Sequence, residues 1–345
     1  MKIGFFELEQ WEKDYLFDLH SLGDGGADKV PALGEVEMID GILSAEHLSE
    51  QTDFEIISVF VNSVIDARVL DHLPKLKLIV TRSTGFDHID LDLCKSRGVV
   101  VANVPSYGEE TVAEYTFALL LNLSRKVYLS FDRIRETGSF SLDNLRGFDL
   151  NGKTLGVIGT GRIGRNVIEI ATGFNMKVVA YDPKPNAEYA TKMKYVYLPL
   201  DEVLTTSDIV TLHVPYMESN HHLIDASAFA KMKKGVYFVN TARGALVDTM
   251  ALVEALRSGQ VAGAGLDVLE EEGVIKDELN ALSAGKLEGH DLKAVLADHL
   301  LIDMPNVIVT PHNAFNTWEA LRRILDTSVE DIKGYISGTP TNLVS

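Results

Sequence analysis

Over residues 1–102, short β-rich runs at 3–6, 56–61, 78–81 and 99–102 alternate with helical stretches such as 64–73. The alternation predicts a parallel sheet covered by helices. Residues 109–126 then keep a helical period, and the middle of that stretch, 117–123, is apolar almost all round. A helix of that kind is buried, between domains or between subunits. A second alternating series opens at 154–158 and continues through 177–181, 208–213, 236–240, 262–266 and 306–310, which implies a second doubly wound α/β unit. The helical run 318–336 comes after that second sheet is complete, so it is expected to pack back on the first unit and make it discontinuous. Residues 274–304 form the one long connection, with an amphipathic helix expected at 291–301.

Composition narrows the class. The 345 residues are 46% hydrophobic, enough for ample core and suited to two domains. Asp and Glu total 50 against 32 Lys and Arg, and the formal charge of −18 repels nucleic acid and anionic membrane surfaces. No apolar run approaches the roughly 20 residues of a membrane span. The first residues lack the basic start and apolar core of a secretion signal, so secretion is not expected. The single cysteine, Cys94, excludes an internal disulfide and fits a reducing cytoplasm, where it reads as a small core filler on a helix.

The first candidate chemistry is Gly159-Thr160-Gly161-Arg162-Ile163-Gly164. Such a hexad is weak evidence alone. Here the run 155–158 supplies a preceding strand, and 163–174 supplies a helix whose first amides can receive a pyrophosphate. Gly159 permits the tight turn, Gly161 lets the backbone approach phosphate, and Gly164 permits helix-on-strand packing. Asp182 ends the next strand, where a carboxylate would accept hydrogen bonds from adenosine ribose hydroxyls and repel a 2′-phosphate. NAD is therefore expected over NADP.

Further strand ends point to the same crevice, outside the carboxyl ends of the strands. His213-Val214-Pro215 ends one, and Thr241-Ala242-Arg243 ends another. Arg243 offers a planar fork suited to bidentate capture of a carboxylate. Asp267 closes the 262–266 strand and is followed by Glu270-Glu271-Glu272, among which the residues alone do not choose. His312 follows the last strand, and beside a carboxylate it could donate a proton to a carbonyl during reduction. His213 is expected to line the adenine end, while His20, His47, His72, His88, His221, His222, His290 and His299 read as bystanders. No metal site is assigned.

Taken together, these residues resemble the D-isomer-specific 2-hydroxyacid dehydrogenase family, and most its D-lactate dehydrogenase branch. The resemblance rests on the Gly159 hexad, Leu212-His213-Val214-Pro215, Asn240-Thr241-Ala242-Arg243-Gly244, Asp267 with Glu272 five residues on, and Pro311-His312-Asn313-Ala314-Phe315. It implies a Rossmann NAD-binding domain at 103–312, a flavodoxin-like substrate domain at 1–102 and 313–345, and a homodimer. It also implies that Arg243 holds the substrate carboxylate and that Glu272, chosen by family spacing, forms an acid/base dyad with His312. NAD contacts are implied at Arg162, Ile163, Asp182, Val214, Pro215, Asn220, Thr241, Ala242, Arg243 and Asp267.

For substrate, Arg82-Ser83-Thr84-Gly85-Phe86-Asp87 resembles the family loop whose amides grip the carboxylate, and Tyr107 stands where D-lactate enzymes have a tyrosine. Ser-Pro usually follows that tyrosine, whereas this chain has Gly108-Glu109. Pyruvate is the expected 2-keto acid. A bulkier 2-keto acid, phosphite oxidation by the same arginine and histidine, and an NAD-sensing corepressor role are the alternatives.

Overall fold

The computed structural model describes residues 1–22, 33–46, 48, 52–272 and 292–344. His20, His47, His290 and most of the 274–304 connection, on which expectations fell, lie outside the described residues or side chains. The chain divides into two units, Met1–Tyr107 with Thr317–Ser345, and Gly108–Asn316. These divisions fall a few residues beyond 102 and 312.

In the first unit the chain runs β1 (Lys2–Phe5), α1 (Gln10–Leu22), β2 (Glu35–Met38), β3 (Ile56–Val59), α2 (Ala67–Asp71), β4 (Leu78–Thr81), α3 (Leu91–Ser96) and β5 (Val100–Asn103). All strand pairs are parallel, in the order β2-β1-β3-β4-β5. That is the flavodoxin-like order. Consecutive residues point to opposite faces of a strand, and both faces here are covered. Ile56, Leu78 and Val80 join one apolar cluster, while Ile57, Val59 and Ile79 join the other with Val69, Leu70 and Cys94. Cys94 is 0% exposed, and burial pushes its thiol up to about 11, so it is inert filler. Two expectations needed correction. The helix expected from residue 64 starts only at Ala67, because Asp66 caps it by accepting from the Val69 amide at 3.0 Å. Strand β2 was missed because its Glu-Val-Glu-Met sequence lies half in solvent at the sheet edge.

The second unit comprises α4 (Glu109–Arg125), α5 (Val127–Thr137), β6 (Thr154–Ile158), α6 (Arg162–Gly173), β7 (Lys177–Tyr181), α7 (Ala187–Met193), β8 (Val196–Tyr197), α8 (Leu200–Thr206), β9 (Ile209–Leu212), α9 (Ala226–Lys231), β10 (Val236–Asn240), α10 (Thr249–Arg257), β11 (Val261–Leu266), α11 (Leu292–Asp303) and β12 (Val307–Val309). Its parallel sheet has the order β12-β11-β10-β9-β6-β7-β8. Counted within the unit, this is the dinucleotide-fold order 3-2-1-4-5-6 with a seventh strand added beyond the sixth. The sheet reverses direction of growth between β6 and β9, so the crevice at their carboxyl ends is the ligand site that this topology creates. The two-residue edge strand β8 is too short for a sequence period to reveal. Within the apolar stretch of α4, Phe117, Leu119, Leu120 and Leu123 are buried.

The final helix, α12 (Trp318–Ser337), returns to the first unit, where Leu325, Val329 and Ile332 pack with Ile3, Ile56 and Leu78.

Candidate active site

Strands β6, β7, β9, β10, β11 and β12 all run parallel, so the segments after them gather at one edge of the second unit's sheet. The turn after β6 is the most constrained. Gly159 sits at φ +95°, a region side chains rarely adopt, and donates its amide to the Tyr181 carbonyl at 2.8 Å. A Cβ on Gly164 would stand 2.0 Å from the Gly159 carbonyl oxygen, so α6 can lie this close to β6 only with glycine there. A side chain at Gly161 would instead enter open space. No side chain caps α6 and no acidic residue stands in its first turn, so its positive end is left for an anion. This cradle fits a dinucleotide pyrophosphate.

Asp182 follows β7. Its Oδ2 accepts from the Thr160 amide at 2.7 Å and hydroxyl at 3.0 Å, and its Oδ1 accepts from the Lys184 amide at 2.7 Å. A carboxylate has about four lone-pair directions, so two are used in bracing the glycine turn, a third in its own loop, and one remains for a ligand hydroxyl. His213 follows β9, donates its amide to Ile158 at 2.7 Å, and places Nε2 2.9 Å from Thr211 Oγ1. Burial pushes this imidazole down to about 3, so it is neutral near pH 7 and cannot serve as the acid. Past Val214, Asn220 closes the next loop by accepting from Met217 N at 2.7 Å and donating to Pro215 O at 2.8 Å.

Three later segments are stitched together by the backbone. Asn240, at the end of β10, donates from Nδ2 to the Arg243 carbonyl and accepts at Oδ1 from the Ala242 amide, at 2.8 and 3.0 Å. Thr241 Oγ1 lies 3.0 Å from Thr116 Oγ1 on α4. The Asp267 amide donates to Asn240 O at 2.9 Å, and the His312 amide donates to Asp267 O at 2.8 Å. This chain of bonds fixes the stem of Arg243 relative to His312.

Asp267 was expected only as a cofactor contact. It is 1% exposed, and its carboxylate accepts from Thr310 Oγ1 at 2.6 Å and from the amides of Asn313 and Ala314, both at 2.8 Å. Burial pushes this carboxyl up, while those bonds and the nearby His312 pull it back. The loop so held carries His312 at φ +53°, a left-handed conformation unusual outside glycine and often found where function demands it. His312 Nδ1 lies 2.8 Å from Glu272 Oε1, with both side chains about one-third exposed. The geometry thus brings together Glu272 rather than Glu270 or Glu271 with the histidine.

Sequence reasoning missed Asp298. This α11 residue is 0% exposed and accepts the Glu271 amide on Oδ2 at 3.1 Å, which anchors the segment leading to Glu272. Burial, reinforced by Glu270 and Glu271, pushes its carboxyl up to about 7. The only signal was an acidic residue at an inward position of an amphipathic stretch.

In the first unit, Ser83 donates to Gly85 O at 2.6 Å and Thr84 to Val104 O at 2.8 Å, so their hydroxyls hold the 83–85 loop itself. Arg82 is structural. It is 1% exposed and gives its guanidinium to the carbonyls of Phe6, Glu7 and Ser58. Tyr107 is half-buried at the end of that unit's N-terminal segment.

Residues 117–314 match the family model for the D-isomer specific 2-hydroxyacid dehydrogenase, NAD binding domain. The chain belongs to the D-isomer-specific 2-hydroxyacid dehydrogenase family. It is 35% identical to D-lactate dehydrogenase of Escherichia coli over 351 residues, covering all of both chains. It is 38% identical to an aromatic 2-oxoacid reductase of Clostridium sporogenes over 306 residues, 87% of this chain and 88% of that one. The solved structure of Aquifex aeolicus D-lactate dehydrogenase, complexed with NAD and lactic acid, superposes with a TM-score of 0.81 at 38% identity, covering 99% of this chain and 98% of that one. The dehydrogenase is an NAD-dependent oxidoreductase of CH–OH groups. Among its described residues, no helix is long and apolar enough to cross a membrane.

Proposed function

We propose that this dehydrogenase reversibly reduces a 2-keto acid to the D-2-hydroxy acid, with pyruvate the favoured substrate. The observation that carries the reading is the 2.8 Å contact between His312 Nδ1 and Glu272 Oε1, at the sheet edge that also bears Arg243. NAD, when bound, supplies or accepts the hydride. Its pyrophosphate would be held by the α6 amino terminus, at Arg162 and Ile163, and its ribose by Asp182. Val214, Pro215, Asn220, Thr241, Ala242 and Asp267 would complete the contacts.

Arg243 pairs with the substrate carboxylate and draws electron density from the carbonyl. His312, protonated on both ring nitrogens, keeps the Nδ1 proton on Glu272 and delivers the Nε2 proton to the carbonyl oxygen. Glu272 holds the ring's orientation and stabilises its positive charge. In oxidation the same nitrogen takes the hydroxyl proton. Main-chain amides of Ser83, Thr84 and Gly85 and the Tyr107 hydroxyl are assigned to the substrate on the resemblance of their loops.

A larger aromatic 2-keto acid is the second reading, supported by the Clostridium relative and by Gly108-Glu109 in place of Ser-Pro after Tyr107. NADH oxidation with pyruvate, phenylpyruvate, 2-ketoisocaproate and hydroxypyruvate, beside phosphite-driven NAD reduction, ranks these. Fastest turnover on pyruvate with a D product is expected. Turnover on phosphite alone, or on nothing, defeats the proposal.

A homodimer in a reducing cytoplasm completes the reading. Helix α5 has no buried residue and exposes Val127, Tyr128, Phe131 and Ile134 along its length, an apolar row of the kind that marks a protein contact.

A further inference from the structure

We propose that His221, His222 and Glu270 form a binding site for a divalent cation of the zinc class. The ligating atoms of these three side chains all lie within 4.8 Å of one another. Among the described residues, no other trio of histidine, cysteine and acidic side chains comes so close.

The backbone explains how two consecutive histidines serve one site. Along an extended chain, neighbouring side chains point to opposite faces. His222 instead adopts φ +52°, a left-handed conformation that turns its ring onto the same side as that of His221. The two imidazoles stack with centroids 3.8 Å apart and planes at 23°, so ligation of one ion by both requires the exposed His221 ring to turn about its χ2 bond until its in-plane lone pair converges with that of His222. Left-handed backbone at a non-glycine residue is strained and persists where its surroundings enforce it. Here the His222 amide donates to Ala245 O at 2.9 Å and the Ile224 amide to Leu246 O at 3.0 Å, so the turn is pinned to the segment before α10.

The donors suit the ion. Two imidazoles and one carboxylate are ligands of a borderline cation such as zinc, at about 2.0–2.2 Å each, with a fourth tetrahedral position left for water. His222 Nε2 already lies 2.6 Å from Glu270 Oε1, a spacing that opens by under an ångström to admit an ion. Outer partners are in place. Thr249 Oγ1 donates to Glu270 Oε2 at 2.7 Å, and the Tyr216 hydroxyl lies 3.4 Å from His221 Nδ1. Partners of this type orient ligands and tune affinity. The three ligands are on loops of the second unit, with Thr249 at the first position of α10 behind them, and the chain's formal charge of −18 favours a cation.

The test uses full-length protein stripped with a chelator and titrated with Zn²⁺ against a chromophoric competitor, with Co²⁺ visible absorption as an independent reporter of tetrahedral nitrogen and oxygen ligation. One Zn²⁺ per chain is expected, with a rise in Tm on binding. His221→Ala, His222→Ala and Glu270→Gln should each weaken binding more than about 10-fold, and Thr249→Val by about 10-fold. His221 is exposed, so its variant tests the site without endangering the fold. The proposal fails if the wild type takes up no stoichiometric Zn²⁺, or if it binds with an affinity that none of these variants alters.

Discussion

The main-chain amide of His312 donates to the main-chain carbonyl of Asp267 at 2.8 Å, and the Asp267 side chain then grips the two residues that follow His312. The histidine is thus placed by a buried aspartate two strands' width from the arginine that shares its edge. Asp267→Asn keeps one acceptor oxygen but turns an amide group toward the amides of Asn313 or Ala314. One buried donor loses its partner, at a cost of about 1–3 kcal/mol. Urea unfolding should register that loss, and kcat should fall at least 10-fold as His312 leaves its geometry. Unaltered kcat in a destabilised protein contradicts the positioning role.

Glu272→Gln removes the anion beside His312 Nδ1 and leaves the ring's hydrogen bond possible. Without the anion the ring loses its orienting partner and the charge it carries before giving up its proton is left unbalanced, so the rate of keto-acid reduction drops about 10–100-fold. Steady-state kcat/KM for pyruvate checks this. A wild-type value removes Glu272 from the dyad.

Gly164→Ala places a methyl 2.0 Å from the Gly159 carbonyl oxygen, a backbone atom that cannot step aside. Either α6 moves off β6 or the glycine turn distorts. Stability should fall by about 1–3 kcal/mol, with weaker NADH binding measured by fluorescence titration. Gly161→Ala meets nothing in the protein, so its stability should hold while NADH affinity falls.

Asp298 makes stability depend on pH in an unusual direction. Its folded-state carboxyl is pushed up to about 7, above its unfolded value, so the folded state binds the proton more tightly. The contribution is fully present below the unfolded carboxylate range and is lost as pH rises toward about 7. Through that window the group lowers stability by at most about 1.4 kcal/mol per pH unit. Asp298→Asn mimics the protonated form and keeps an acceptor for the Glu271 amide. Urea midpoints at pH 5 to 8 should then decline less steeply than in the wild type. Parallel curves reject the buried-proton explanation.

Much of this architecture was legible because strands buried on both faces announce themselves as apolar runs, as at Ile56–Val59 and Leu78–Thr81. The motif residues stood at strand ends, where sequence order alone puts them on one edge of a parallel sheet. What escaped depends on partners distant in the chain. Edge strands β2 and β8 are short and half-solvated, so no period marks them. Asp298 reads as an ordinary acid, and Asp267 as a cofactor contact alone, until burial and their amide donors are seen. The choice among Glu270, Glu271 and Glu272 needed family spacing at first, and then the contact with His312. His221 and His222 looked incidental, since nothing in a His-His pair foretells a left-handed turn facing Glu270.

Steady-state reduction of pyruvate by NADH in the Arg243→Ala and His312→Asn variants, paired with NADH binding titrations, tests the central claim most directly. The account predicts that kcat/KM falls by about 10²–10⁴-fold in each, with NADH affinity within a few-fold of the wild type. It also predicts that the double variant loses far less than the product of the two, as expected of groups acting on one substrate. Wild-type turnover in either variant, or a loss explained wholly by weaker NADH binding, contradicts it.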